Sequence, residues 1–212
     1  MRREDEQEIG LRHVRRHEVE AAAARELLAC YESLAARRAH LLARLLRGRR
    51  PVQWRHYPAN DAIDHETGYQ YFYHCHAPGE RRGGAEHGHF HLFRRRAPGR
   101  APVHLLAIAL TSKGVPHALF TVNQWVAGSP LPGARAALRD LARFEVRAAG
   151  DPLVNRWIAA LLRLFRPQIE RLLAERDCRL KRGRAALLDD RSVEVLSSLA
   201  IDLDARLAEI RL

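Results

Sequence analysis

Histidines crowd into two short segments near the middle of the chain. One segment carries His74 and His76, and the other carries His87, His89 and His91. Imidazole nitrogen is a good ligand for zinc, iron, copper and nickel. Side chains two residues apart in a strand point to the same side of it. The spacing therefore predicts up to five imidazoles that converge on one transition-metal ion.

Both segments have the composition of strands and together predict a β-hairpin. The stretch from Tyr69 to His76 is rich in aromatic residues, which favour strands. Residues 77–85 are rich in glycine and predict a loop, and Glu86 to Arg94 predicts the return strand. Adjacent strands lie about 4.8 Å apart, so imidazoles on two or three strands can reach one ion. His104, on the next predicted strand, is a further candidate ligand.

Carboxylates near the histidines bear on which metal is expected. Histidines with one carboxylate suit iron(II) or manganese, whereas a purely histidine site suits zinc, copper or nickel. Glu86 alternates away from His87, so it is either a residue that orients an imidazole from behind or an ordinary charge at a strand start. Zinc or iron is the expected ion, with copper, nickel or manganese as alternatives.

Four more residues are candidates for the surroundings of the site. Asn123 stands in the apolar stretch from Phe120 to Val126, so it should be buried and hydrogen-bonded. It either fixes a loop or faces a ligand. Trp125 shares its predicted face and could wall a substrate pocket. Tyr71 and Tyr73 could serve the pocket or the chemistry, and packing is the alternative for both.

The rest of the chain predicts an α+β fold in a single domain, 1–212. Apolar residues recur every three or four positions from Val14 to Leu46, which predicts one long helix within 1–50. The His-rich sheet is expected in 51–128 and a helical part in 129–212. The connections between successive strands are short. We therefore expect four mainly antiparallel strands over about residues 69–126, flanked by the N-terminal and C-terminal helices.

Three local signals complete this prediction. The polar segment from Trp54 to Asp64 predicts a connector followed by a turn. Asp151-Pro152 combines an acidic N-cap with proline at the first helical position, and it predicts the start of a helix. That helix should kink or split at Pro167. Asp189-Asp190 should cap a short element that runs through Leu199.

The formal net charge of +11 raises the question of an anionic partner. The basic excess is spread along the chain, and 34 of the 36 basic residues are arginine. This distribution argues against nucleic-acid binding. Two clusters keep an anionic partner open, namely Arg47, Arg49, Arg50 and Arg94, Arg95, Arg96.

Membranes and disulfides are not expected. The longest apolar stretches fall far short of the roughly 20 residues that cross a bilayer, and the charged N-terminus lacks the pattern of a signal peptide. The three cysteines are widely spaced and predict no disulfide framework. We therefore expect a cytoplasmic protein. A small-molecule substrate, a partner protein and the oligomeric state are left open.

The segment His87-Gly88-His89-Phe90-His91-Leu92-Phe93 resembles the signature of the histidine-triad nucleotide hydrolases and transferases. The match covers seven residues. In that family the middle histidine attacks the α-phosphate of a nucleotide, so the resemblance implies that His89 would be a nucleophile. The His-x-His pairs with a nearby glutamate are also similar in chemistry to the metal-binding barrels called cupins.

Three functional hypotheses follow. The first is a transition-metal-dependent enzyme with an open coordination position that activates water or dioxygen. The second is a non-catalytic metal-binding or accessory protein with a closed site. The third is a nucleotide hydrolase or transferase that uses His89 without a metal.

Overall fold

We describe the chain from a computed structural model, which covers residues 2–77, 85–97 and 99–210. The predicted loop between the two histidine segments lies largely outside these residues. The fold is α+β, with helices at both ends of the chain around an antiparallel sheet, as predicted. The strands are β1 Tyr57–Ile63, β2 Tyr69–Cys75, β3 Gly88–Arg94, β4 Val103–Leu110, β5 Pro116–Val122 and β6 Val195–Ala200. The helices are α1 Arg2–Ala35, α2 Leu41–Leu46, α3 Gln124–Ala127, α4 Ala134–Ala142, α5 Pro152–Leu164, α6 Arg166–Asp189 and α7 Leu203–Ile210.

The sheet has six strands in the order β1-β2-β3-β4-β5-β6, so the prediction of four strands was wrong. The two additional strands are its edges. β1 contains Pro58, Asn60 and Asp61, and its register against β2 is interrupted between Tyr57 and Ala62. Proline and a bulge are tolerated at a sheet edge, where one side of the strand needs no partner. Such residues read as a connector when the sequence is considered alone.

The other edge, β6, lies in the part of the chain that was expected to be helical. It pairs antiparallel with β5, and the hydroxyls of Ser197 and Thr121 lie 2.8 Å apart across the pair.

Strand β5 ends earlier in the chain than predicted. It ends at Val122, and Gln124 already belongs to the short helix α3.

The helical ends follow the predicted signals with one break. The N-terminal helix stops at Ala35, and a separate helix, α2, begins at Leu41. His40 is the N-cap of α2, and its imidazole accepts a hydrogen bond from the Ala43 N–H at 3.3 Å. The Asp151 carboxylate caps α5 by accepting from the Leu153 N–H at 2.9 Å. Near Pro167 the expected split is present, since α5 ends at Leu164 and α6 begins at Arg166.

The two faces of the sheet differ in character. One face, here called the helix face, packs on α5 and carries the fully buried rings of Tyr71, Tyr73 and Phe90. The opposite face, here called the histidine face, carries Phe72, His74, His89, His91 and Phe120. Strand alternation produces this division, because neighbouring residues in β2 and β3 point to opposite sides.

The turn between β1 and β2 is fixed by the carboxylate of Asp64. This side chain is fully buried, and its two oxygens accept backbone N–H groups from Glu66 at 2.9 Å, Thr67 at 3.0 Å, Arg147 at 2.7 Å and Ala148 at 3.2 Å. Burial alone would raise the pKa of Asp64, but these four N–H groups outweigh it and lower the pKa from 3.8 to about 2. Asp64 therefore ties the sheet to the loop before α5.

We predict that Asp64→Asn lowers the free energy of unfolding at neutral pH by about 2–4 kcal/mol, because an amide NH₂ would face backbone donors. The pKa of Asp64 is depressed in the folded state, so its contribution is complete above the unfolded value of 3.8 and is lost as the pH falls toward about 2. Urea unfolding at a series of pH values should therefore show the gap between wild type and variant closing in that window. A gap that stays constant down to about pH 2 would contradict this assignment.

Candidate metal centre

Strand register brings the two histidine segments together. His74 in β2 lies directly opposite His89 in β3, and Phe72 lies opposite His91. Directly opposed residues in an antiparallel pair have their Cβ atoms about 4.5–5.5 Å apart on the same face. His76 follows β2, and its backbone N–H donates to the His87 carbonyl at 3.4 Å, which continues the pairing past the strand end. The predicted convergence on one face is therefore present for His74, His89 and His91.

The ligand atoms of His74, His76 and His89 all lie within 4.8 Å of one another, so these three residues could hold a metal ion. The Nε2 atoms of His74 and His89 are 2.8 Å apart. In a tetrahedral site with bonds of 2.0–2.1 Å the ligand atoms are about 3.3 Å apart. The two rings would have to separate by about half an ångström, a movement that side-chain torsions can supply.

Glu86 sets the orientation of the His89 ring. Its Oε1 atom lies 2.5 Å from His89 Nδ1, and the side chains of both residues are almost fully buried, at 2% and 3% exposed. A carboxylate accepts, so His89 carries its proton on Nδ1 and leaves the Nε2 lone pair toward His74. This is the tautomer that a metal ligand requires.

His91 and His104 extend the cluster away from β2. His91 Nε2 lies 2.9 Å from His89 Nε2, and its Nδ1 atom lies 3.0 Å from His104 Nε2. Burial, with a smaller contribution from Arg176, lowers the pKa of His104 from 6.5 to about 3. Burial thus disfavours the charged form of His104, whose imidazole holds the ring of His91 in place.

Aromatic rings surround the three candidate ligands. The ring centroid of Trp54 lies 4.5 Å from that of His76 and 5.4 Å from that of His74, and Phe120 lies 4.9 Å from His89. His74 and His89 are buried, whereas His76 is less buried. The cluster is thus held in largely apolar surroundings that strengthen polar interactions, and it is reached most readily on the side of His76.

A comparison with protein families gives a match over residues 21–201, which is most of the chain. The matching family is described as a domain of unknown function, DUF6969. The chain belongs to the DUF6969 family. It matches no curated protein and no solved structure significantly. The matched range of this DUF6969 chain includes every residue of the candidate metal centre, while the family description names no activity.

In the structure of this DUF6969 chain, His87 does not belong to the candidate metal centre. Its Nδ1 atom lies 2.7 Å from the hydroxyl of Tyr73, and the two rings stack. Tyr73 alternates with His74 and belongs to the helix face, so His87 and His89 lie on different sides of the sheet. Of the three histidines in the segment that resembles the nucleotide hydrolases, His89 and His91 lie side by side, and His87 lies apart from them.

Tyr71 and Tyr73, predicted near the site, are also on the helix face. The Tyr71 hydroxyl donates to Asn155 Oδ1 at 2.7 Å, and burial raises the pKa of this phenol above its usual value. The Tyr73 ring packs on Phe90 with centroids 5.3 Å apart. Tyr71 joins the sheet to α5, and both tyrosines lie on the face of the sheet opposite the histidine cluster.

Asn123 and Trp125, predicted to line a pocket at the site, do not line the histidine cluster. The Asn123 amide donates to the carbonyls of Leu187 and Val193, both at 3.0 Å, and accepts from the Gln124 N–H at 2.7 Å. It is the N-cap of α3, which is the loop-fixing alternative. Trp125 lines a cavity of about 400 Å³ with Arg191, and its indole N–H donates to the Asp190 carbonyl at 3.2 Å.

Two residues beside the cluster were missed in the sequence. Trp54 covers His74 and His76, and His56 stacks on Phe72 with ring centroids 3.7 Å apart and lies 6.3 Å from the His74 ring. His56 Nδ1 also lies 2.8 Å from Asp61 Oδ1. The available signal was a tryptophan and a histidine close together in a polar segment. Both residues lie just before β1, so recognising β1 as the neighbour of β2 would have indicated that they lie beside β2.

Proposed function

We propose that this protein is a transition-metal-dependent enzyme whose ion is held by His74, His76 and His89. One observation carries the proposal, namely that three imidazole ligand atoms on a hairpin lie within 4.8 Å of one another. Zinc or iron is the expected ion, because imidazole suits both. A bound ion would supply a Lewis acid that polarises a substrate or activates a water molecule.

The number of candidate ligands supports a catalytic site over a closed one. Structural zinc sites use four protein ligands, whereas catalytic sites use three and keep one position for water or substrate. The group within 4.8 Å contains three histidines. His91 borders them through its Nε2 atom, 2.9 Å from His89 Nε2. We propose that His91, held by His104, donates or accepts a hydrogen bond with the group that occupies the open coordination position.

Elemental analysis of protein purified without a tag tests this proposal. We expect about one equivalent of zinc or iron per chain, as a single three-histidine site requires. Substitution by cobalt(II), followed by visible spectroscopy, should show an absorption band that shifts when a small anion such as azide is added, because one coordination position is open. Absence of any stoichiometric metal would overturn the proposal, and a band that no anion shifts would favour the accessory role.

We predict that Glu86→Gln weakens metal binding by about 10- to 100-fold, which is the usual effect of losing a carboxylate behind a metal-bound histidine. The amide keeps the volume of the side chain but cannot hold His89 in the tautomer that presents Nε2 to the ion. Competition with a chelator measures the affinity. Glu86→Asp should recover part of it, and an affinity equal to wild type in Glu86→Gln would show that the carboxylate does not act through His89.

A further inference from the structure

A cavity lies at the end of the β2-β3 hairpin that is farther from the candidate metal centre. It has a volume of about 390 Å³ and is formed by the turn before β2, the last residue of β3 and the residues that follow β3. Three successive arginines, Arg94, Arg95 and Arg96, line it. Gln70, the hydrogen-bond partner of Arg95, precedes His74 by four residues on β2, a distance of about 13 Å along a strand. The cavity is therefore separate from the candidate metal centre.

Two of the three guanidinium groups are held by neutral partners. Arg94 donates to the Thr67 carbonyl and lies 4.6 Å over the ring of Tyr69. Arg95 donates to Gln70 Oε1 at 2.7 Å. Both side chains are partly buried, and within the part of the chain that the structure describes neither forms an ion pair. Partly buried positive charge of this kind favours an anion.

The carboxylates around the cavity do not neutralise these two arginines. Asp64 lines it, but the oxygens of this carboxylate are occupied by four backbone N–H groups. Arg96 is paired with Asp140 at 2.7 Å and is half exposed. Glu66 also lines the cavity and is exposed to solvent. Arg94 and Arg95 are therefore two cations that no carboxylate of the cavity lining neutralises, and their neutral contacts hold them in place before any anion binds.

We propose that this cavity binds the phosphate group of a small phosphate ester. Arginine presents planar, paired donors that match phosphate oxygens, and a phosphate monoester carries nearly two negative charges at neutral pH. Two guanidinium groups balance such a dianion, whereas a monocarboxylate would balance only one. The cavity volume lies in the range of small-molecule sites, about 300–1,000 Å³.

Calorimetric titration at constant ionic strength tests the proposal, with inorganic phosphate and phenyl phosphate as probes. We expect saturable binding of one equivalent, at least tenfold weaker in Arg95→Gln. Arg171→Gln, on the exposed side of α6 with only a 3.9 Å ion pair, removes the same charge elsewhere and should bind like wild type. If only phenyl phosphate binds, the ligand is an ester with an aromatic group; if inorganic phosphate binds equally, phosphate alone is recognised.

Glu66→Gln is a second variant, which changes an exposed side chain and leaves the fold intact. Removing a negative charge from the cavity should tighten phosphate binding about two- to fivefold at low salt. Absence of saturable binding to wild type would overturn the proposal. So would an unchanged affinity in either Arg95→Gln or Glu66→Gln, since both would place the anion outside the cavity.

Discussion

Replacing His89 by alanine should release the metal ion and lower metal affinity by more than about 100-fold, because loss of a carboxylate behind a ligand already costs about 10- to 100-fold. His89 is central to the cluster. Its Nε2 atom lies 2.8 Å from that of His74 and 2.9 Å from that of His91, and Glu86 holds its other nitrogen.

His87→Ala is the matched control for this variant. It removes an imidazole only two residues away, but one whose Nδ1 atom lies beside the Tyr73 hydroxyl on the helix face. Metal content after dialysis, measured by elemental analysis, should fall to background in His89→Ala and stay near one equivalent in His87→Ala. Loss of metal from both variants would contradict the separation of the two residues by the sheet, and retention in both would place the ion elsewhere.

The strand period explains why the centre could be predicted in part. A two-residue repeat places His74, His89 and His91 on one side of their strands once the hairpin register is fixed. The same rule predicts His87 on that side, and it fails there because β3 begins at Gly88 and His87 lies before the strand. His76 lies just past the end of β2 and still joins the cluster, so strand alternation alone does not decide which side a residue at a strand end takes.

The parts that escaped prediction depend on contacts distant in sequence. β1 and β6 are edge strands whose polar residues, such as Asn60 and Ser197, are acceptable because one side of each strand is unpaired. Asn123 was recognised as a buried amide, but its partners Leu187 and Val193 lie more than sixty residues along the chain. Such partners are set by tertiary packing, which no local pattern records.

Gly88 should be the least replaceable residue of the hairpin. It pairs with Cys75 in the register. A Cβ atom at this position would overlap the His74 carbonyl oxygen and would lie 2.6 Å from the Tyr73 hydroxyl and 2.7 Å from the Cys75 Cα atom. Two of these obstacles are backbone atoms that cannot rotate away. We predict that Gly88→Ala lowers the free energy of unfolding by more than about 3 kcal/mol, above the usual range for overpacking.

The same substitution should also weaken metal binding, because β2 and β3 can accommodate the methyl group only by moving apart beside the His74 and His89 pair. Gly183→Ala is the matched control, since a Cβ there meets nothing within 4 Å and its φ of −172° is open to any residue. Urea unfolding and chelator competition should show both losses in Gly88→Ala and neither in Gly183→Ala. A Gly88→Ala variant as stable as wild type would mean that the strands are not as closely spaced as the register requires, and a stable variant with full metal affinity would place the ion outside this hairpin.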